Sequence, residues 1–593
     1  MKKLLLLITA LLATSMGLLA QGTSWQTATL ISSGQTKTAT LDASTTEVWY
    51  KINVTTEGKV QLTVTGTEDL RFYSYNSVIY GFKDDAIITR GHFSGNLTGS
   101  YGDTITYQAS DVGKGTYYIN IKRYSGSGSF KLKYTFTQCQ LSNDPEPNNE
   151  YTSASLLQSG STVQGRLGYR SSDDVTDTQD WYKIVVPEEG QVEFTVTATE
   201  DLKFYPYYCT FNGYKNNDIY RRSNFTGNTG NYSDTITFKA TDVGAGTYYI
   251  CLQRNSGNGG YRLHYKFTPC PQSADPEANN DFEHSTLLES GKTVQGRLGY
   301  RSSDDVTDTQ DWYKIVVPEE GQVEFTVTAT ADLKFYPYYC TFNGYKDNNI
   351  YRRSNFTGNS GNYSDTITFK ATDVGKGTYY ICLQRNNGSG GYKLYYKFTP
   401  CPQENDFEPD DDYQHYNRLL NGKTSEGRLG YRTSDDVTDN QDWYRIIVPK
   451  DGDIDISANV ASNDLKLYPY YCEIYSYQNN NLNKLSSFSG NAGSYSTTIT
   501  YQKINMTAGI YYIRLSRNGG SGGYTIRYNG PVSDIPGDVD GDGQVNIGDI
   551  SDISDYLLYG DPANPLPNGD ADGDGKITIG DVTTLIDKLL QGM

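Results

Sequence analysis

Through most of the chain, apolar and polar residues alternate over short stretches. Between Asp180 and Phe267 these stretches are DWYKIVV, QVEFTVTA, LKFYPYYCTF, DTITFKA, GTYYICLQ and GYRLHYKF, separated by Gly, Asn and Asp. A period of two puts alternate side chains on opposite faces of a strand, and turn residues close each run. In GTYYICLQ, for instance, Tyr248, Ile250 and Leu252 share one face. A helical period is found only after Ile535, where two amphipathic stretches follow Asp-rich loops. The pattern predicts a mostly β chain of antiparallel, jelly-roll-like sandwiches of about 110–130 residues each, ending in a small α-helical module.

The strand pattern recurs. Trp49, Trp181, Trp312 and Trp443 each open a Trp-Tyr-(Lys/Arg)-Ile run, at spacings of 132, 131 and 131 residues. Residues Val163–Thr199 are identical to Val294–Thr330. A period this long means whole domains in tandem rather than solenoid turns. The expected organisation is repeat 1 over 22–138, repeat 2 over 139–269, repeat 3 over 270–400, repeat 4 over 401–530 and the terminal module over 535–593. Residues 1–20, MKKLLLLITALLATSMGLLA, combine two lysines, an apolar run and small residues near Ala20, the pattern of a secretory signal peptide. An exported mature protein with no membrane span is expected.

Composition sharpens this picture at two points. The 593 residues include 53 Tyr and 60 Gly, a bias toward strands and tight turns. The net charge of −18 argues against nucleic-acid binding through phosphates. That charge is uneven, since 535–593 holds twelve Asp against Lys576 and Lys588. Two bound Ca²⁺ would offset about 4 of those charges, so this segment is expected to fold around metal.

The terminal Asp residues have a defined spacing. Twelve-residue loops place oxygens at positions 1, 3, 5, 9 and 12, a backbone carbonyl at 7 and glycine at 6. The first loop has Asp538, Asp540, Asp542, Gln544 (through its carbonyl), Asn546 and Asp549, with Gly543 at the turn. The second has Asp570, Asp572, Asp574, Lys576 (through its carbonyl), Thr578 and Asp581, with Gly575. Position 12 is Asp, not the bidentate Glu of an EF-hand, and Pro531 and Pro536 leave no room for an entering helix. The duplicated loop-plus-helix resembles a type I dockerin. That resemblance implies two Ca²⁺ and calcium-dependent docking onto the cohesin-type domain of a scaffold or surface protein, with an extracellular location.

The repeats carry a second acidic pattern. Repeat 2 opens with Asp144, Glu146, Asn148 and Asn149 and has Asp177 and Asp180 just before Trp181. Repeat 3 matches it with Asp275, Glu277, Asn279, Asn280, Asp308 and Asp311. Repeat 4 has Asp406, Glu408, Asp410, Asp411, Asp439 and Asp442. Oxygen-only ligands suit Ca²⁺, so one or more ions per repeat are expected in repeats 2–4. Repeat 1 lacks both halves together, having no acidic leader and Glu47-Val48 before Trp49. The order DPEPNN, GRL, DxxDWYKI and GTYYI is similar to the bacterial pre-peptidase C-terminal domain and to the collagen-binding domains of clostridial collagenases. That similarity implies an accessory sandwich of secreted enzymes, in some members binding calcium or a polymer.

The eight cysteines of an exported chain permit disulfides. Cys139, Cys270 and Cys401 lie at repeat starts, and Cys209, Cys340 and Cys472 follow 70, 70 and 71 residues later; repeat 1 has neither class, which suggests pairs 139–209, 270–340 and 401–472. The rival scheme, Cys209–Cys251 and Cys340–Cys382, remains open.

No HExxH or phosphate-cradling loop is present, and of the four histidines only His284 and His415 recur at equivalent repeat positions. Nearly every residue falls in a repeat or the terminal module. The expectation is therefore a non-catalytic docked component, with a glycoside hydrolase or peptidase subunit of a polysaccharide-degrading complex, and a structural spacer or adhesin, as alternatives. Tyr205, Tyr207, Tyr214 and Tyr220 recur as Tyr336, Tyr338, Tyr345 and Tyr351, and flat aromatics can stack on sugars or pack on a fibrous protein.

Overall fold

The computed structural model describes residues 22–591, apart from 68, 98–100, 142, 200, 273, 331, 404, 462–463, 492–494 and 561–564. The predicted signal peptide, 1–20, lies outside the described residues. The described residues form eight β-sheets in four pairs, followed by two α-helices.

Repeat 2 shows the plan. One sheet runs Ser155–Leu156, Gln179–Val186, Gly246–Ser256, Thr210–Lys215, Asp218–Asn224, with Lys203–Phe204 also on the Gly246–Ser256 strand. The other runs Thr162–Leu167, Gly259–Pro269, Gly190–Ala198, Thr235–Val243, Thr226–Gly227. All pairings in this repeat are antiparallel except the two-residue Ser155–Leu156, which lies parallel to Tyr182–Lys183. Tyr182, Ile184, Val186, Tyr248, Ile250 and Leu252 from the first sheet meet Val192, Phe194, Val196, Leu263 and Tyr265 from the second in one buried cluster. The alternation in the sequence is thus the inward and outward alternation of the strands, and burial of the inward set drives the sheets together. Repeats 1, 3 and 4 have clusters of the same make-up.

The described chain divides into two units, one of residues up to Cys270 plus Tyr300–Thr307, the other of Pro271–Gly299 and Asp308 onward. Within the first unit the repeats are stitched together. A loop of repeat 2 lies along repeat 1, where the Arg170 amide donates to the Asp111 carbonyl (2.7 Å), the Gly113 amide to the Arg170 carbonyl (2.8 Å) and the Phe82 amide to the Ser172 carbonyl (2.7 Å). Arg166, buried, pairs with Glu57 of repeat 1. Within the second unit, repeat 4 does the same to repeat 3: the Arg432 amide donates to the Asp373 carbonyl (2.8 Å) and Arg428 pairs with Glu320 (2.9 Å).

The terminal module has two helices, Ile547–Tyr559 and Ile579–Leu590, around Val539, Ile550, Ile553, Leu566, Ala571, Val582 and Leu585. Asn546 and Thr578 cap them, each accepting from the amide two residues on (2.7 and 3.0 Å). These caps satisfy amides that the first turn leaves unpaired.

All eight cysteines are buried free thiols. The bridges expected between Cys139 and Cys209, Cys270 and Cys340, and Cys401 and Cys472 are not formed, nor are those of the rival scheme. Cys209 packs in the core of repeat 2, its Sγ accepting from the Gln253 amide at 3.1 Å. Cys139 instead sits at the junction with repeat 1, its amide on the Glu57 carbonyl (2.9 Å). Cys251 turns away from the core cluster, its Sγ 4.0 Å from Gln179 Oε1.

Candidate metal centres

In repeat 2 the acidic leader and the loop before Trp181 are far apart in sequence, and strand pairing brings them together. The Trp181 amide donates to the Asn148 carbonyl (2.7 Å) and Gln179 Nε2 to the Asn149 carbonyl (3.0 Å). These bonds hold the leader along the Gln179–Val186 strand, and oxygens of Asp144, Glu146 and Asp177 gather within 4.8 Å of one another. Asp275, Glu277 and Asp308 do the same in repeat 3, and Glu408, Asp410 and Asp442 in repeat 4. Two oxygens each ~2.4 Å from one Ca²⁺ are at most ~4.8 Å apart, so this spread suits a single ion. Asn148, Asn279, Asp180 and Asp311 are fully buried beside these groups, whereas Asn149, Asn280 and Asp411 are exposed. Asp406 and Asp439 flank the repeat 4 group.

Two observations test whether a cation fits. Buried Oδ1 atoms of Asn279, Asp311, Asp410, Asp439 and Asp442 accept no hydrogen bond. Buried polar atoms are almost always paired, so unpaired oxygens beside a carboxylate cluster are what a site suited to a cation would present. Burial, reinforced by the adjoining carboxylates, also pushes the acids of Asp180, Asp311 and Asp442 well above their ordinary range. The same causes push Asp144 and Asp406 up to about 7. A cation would remove that penalty.

Behind each cluster lies a tyrosine pair that strand spacing alone does not reveal. Tyr261 donates to Asp180, and its hydroxyl is 2.6 Å from that of Tyr182. Asp311, Tyr392 and Tyr313 repeat this, as do Asp442, Tyr524 and Tyr444. All these tyrosines are buried. Facing the ring is a glycine: a Cβ on Gly165 would lie 2.3 Å from the Tyr261 hydroxyl, and Gly296 and Gly427 are placed alike. Repeat 1 carried the signal, with Val48, Phe130 and Ala39 where repeat 2 has Asp180, Tyr261 and Gly165.

In the terminal module, oxygens of Asp538, Asp540 and Asp549 come within 4.8 Å of one another, and so do those of Asp570, Asp572 and Asp574. Asp549 closes its loop by accepting from the Val539 amide (2.7 Å), the Asp540 amide (3.2 Å) and the Asn546 amide (2.9 Å). Asp581 accepts likewise from Ala571, Asp572 and Thr578. Asp542 and Asp574 stand at the exposed rim, each accepting from the amide two residues on (2.8 and 2.9 Å), those of Gln544 and Lys576. Gly543 and Gly575 both have φ +85°, the left-handed turn that glycine makes without strain. Asp538 Oδ1 is buried and unpaired. The donor set fits a hard, oxygen-seeking ion, which Asp538, Asp540, Asp542, Asn546 and Asp549 would hold in the first loop and Asp570, Asp572, Asp574, Thr578 and Asp581 in the second.

Among the eight candidate tyrosines, Tyr207 and Tyr338 are exposed (60% and 59%), with Arg221 and Arg352 over their rings. Tyr205 and Tyr336 pack, with rings tilted by 31°, beside Tyr208 and Tyr339 at 4.5 Å. Tyr214 and Tyr345 pack on Tyr249 and Tyr380. Tyr220 and Tyr351 are half-buried beneath Arg301 and Arg432 of the stitching loops, so they serve packing between repeats rather than an open face. Sequence spacing missed the exposed Tyr208, Tyr232, Tyr339 and Tyr363, of which Tyr208 and Tyr339 pack edge-on against Tyr207 and Tyr338. Repeat 4 has exposed Tyr470, Tyr471 and Tyr495 at the matching positions.

Among the described residues, no helix is long and apolar enough to cross a membrane. The pre-peptidase C-terminal domain of a collagenase from Bacillus anthracis is similar at 17% identity over 18% of this chain and 94% of that one, with a TM-score of 0.15. The CUB1-EGF-CUB2 domain of human MASP-1/3 is similar at 13% identity over 39% of this chain and 99% of that one, with a TM-score of 0.13. Residues 536–590 match the family model of the type I dockerin domain, a domain that binds calcium, over the two loop-helix units described above.

Proposed function

We propose that the chain is a secreted, non-catalytic component that docks through its terminal module, with Ca²⁺ in both loops, onto a cohesin-bearing scaffold or surface protein. The observation that carries this reading is the match of residues 536–590 to a type I dockerin, whose loops gather three carboxylates each. Metal in the loops would fix the loop ends to the helix starts, so that a docking face exists only when calcium is bound. Pull-down of a cohesin-bearing protein by the full chain should need calcium and should be lost when Asp538→Ala and Asp570→Ala are combined. Equal recovery in chelator would refute the reading.

The repeats are the presented cargo, each of repeats 2–4 holding Ca²⁺ at its acidic cluster. The recurring exposed tyrosines, such as Tyr207, Tyr208 and Tyr232 in repeat 2, favour a polymeric ligand, polysaccharide or fibrous protein, met by several repeats at once. Multiple weak contacts along one polymer add through effective concentration. Retention on a polymer array should fall when Tyr207 and Tyr338 are both changed to Ala.

A further inference from the structure

Repeat 4 differs from repeats 2 and 3 at the place where it meets the terminal module. The segments Leu156–Ser161, Leu287–Lys292 and Arg418–Lys423 correspond, and read LLQSGS, LLESGK and RLLNGK. Leu156 and Leu287 are exposed apolar residues (55% and 54%). In repeat 4 the same position is Arg418. Its Nη2 lies 2.6 Å from Asp540 Oδ2 in the first Asp loop and 3.0 Å from Asp552 Oδ2 on the first helix. Both carboxylates are nearly buried, at 8% and 13% exposure.

The neighbouring changes follow the same logic. Gln158 and Glu289 are replaced by Leu420, which packs against the apolar core of the module. Ser159 and Ser290 are replaced by Asn421, whose side chain donates to the carbonyls of Gly530 (2.9 Å) and Pro531 (3.1 Å) and accepts from the Gly530 amide (2.8 Å). Asn421 thereby fixes the chain where it leaves the repeat. Lys423, a lysine that repeat 3 shares as Lys292, places its ammonium 4.0 Å over the ring of Tyr556 on the first helix. An apolar side chain, a cation over an aromatic face and a two-carboxylate clasp, all within six residues, make a built interface.

We propose that this edge of repeat 4 is a dedicated receptor, in the same chain, for the first loop-helix unit, and that Arg418 couples calcium in the first loop to the seating of repeat 4. The proposal rests on the reading of that loop as a calcium site. Asp540 Oδ1 accepts from the Asp542 amide (3.0 Å) while Oδ2 takes the guanidinium. A carboxylate has about four acceptor sites, so room for an ion remains. Arg418 thus holds Asp540 in place before the ion arrives, and an ion that fixes Asp540 strengthens the clasp in return. Asp552 supplies the negative charge that keeps the guanidinium seated beside a divalent cation. Such coupling is reciprocal by thermodynamic necessity. The equivalent position of the second loop, Asp572, is exposed, so the two loops answer differently.

Hydrogen exchange of the full chain during a calcium titration tests this. Arg418→Leu restores the residue of repeats 2 and 3, and so is compatible with the repeat fold. In the wild type, residues 418–426 and 538–549 should gain protection at the same calcium concentration. In Arg418→Leu the first loop should need at least about fivefold more calcium, the low end of typical coupling. The second loop, 570–581, should be unchanged. Asp538→Ala, which removes the metal site and keeps the arginine, should abolish the same share of protection at 418–426. An unchanged first-loop midpoint in Arg418→Leu would overturn the coupling and leave the calcium reading standing. Indifference of both loops to calcium would overturn both.

Discussion

Repeats 1 and 2 have the same sheet plan and nearly the same core, and differ in what lies beneath the tryptophan strand. Repeat 2 buries Asp180 completely, with Tyr261 donating to it and Tyr182 behind. Repeat 1 has Val48, Phe130 and Tyr50 at these places, all buried, and Ala39 opposite the phenylalanine. The leader differs too. Gly22 takes the amide of Trp49 (2.9 Å) with no carboxylate nearby in sequence, where Asn148 takes that of Trp181. The fold therefore does not need the acidic cluster. A buried carboxylate is a cost that the apolar version avoids. Its repetition in three repeats, always with the same tyrosine and glycine, is the pattern expected if a bound cation offsets the cost.

The largest effect should come from turning repeat 2 into repeat 1 at this spot. Replacing Asp180→Val together with Tyr261→Phe should abolish the response of repeat 2 to calcium. In chelator it should stabilise the repeat by about 1–4 kcal/mol, the range seen when buried ionic groups are exchanged for apolar ones of similar volume. Hydrogen exchange resolved over residues 179–186 and 246–269 measures both. A variant that loses stability in chelator would show that the cluster is a structural network after all.

A pH titration sharpens the same contrast without mutation. Asp144 and Asp406 are pushed up to about 7 by burial first and by neighbouring Glu146 and Glu408 second. A carboxylate whose folded value is raised contributes stability that is present below its unfolded value near 4 and is lost as pH rises through the folded one. In chelator, repeats 2 and 4 should become less stable between about pH 4 and pH 7, each kcal/mol lost lowering the midpoint by about 4 °C. Repeat 1 should stay flat, and saturating calcium should abolish the slope. A slope that persists in calcium would place its origin outside these clusters.

Strand positions, tandem repetition and both Asp loops were legible in the sequence because each rests on a local period: two for strands, twelve for the loops and about 131 for the repeats. The grouping of Asp144 and Glu146 with Asp177 was legible only by comparing repeats, because the chain between them is a strand and a loop away. The role of Tyr261 was not, since a tyrosine in a strand is usual and its partner is 81 residues distant. The cysteines misled for a related reason. Equal spacings of 70 and 71 residues report the repeat, not proximity, and Cys139 and Cys209 occupy a junction and a core. The stitching of one repeat to the next also left no local trace, as Arg170, Ser172 and Phe82 meet mainly through backbone atoms.

The smallest effect expected is also the cleanest test of why the two versions differ at more than one position. Phe130→Tyr in repeat 1 would add a hydroxyl facing the methyl of Ala39, since a Cβ at the matching Gly165 would lie 2.3 Å from the Tyr261 oxygen. Overpacking of this kind costs about 1–3 kcal/mol. Ala39→Gly alone should cost less, about 0.5–1 kcal/mol, through backbone entropy in a strand. Together they should cost less than their sum, because the glycine opens the space that the hydroxyl needs. A double-mutant cycle on hydrogen exchange of residues 128–138 would give a coupling of about 1 kcal/mol, within the range for residues in contact. Strict additivity would mean that Gly165 is not there for Tyr261, and that the glycine, the tyrosine and the aspartate of repeats 2–4 do not form one unit.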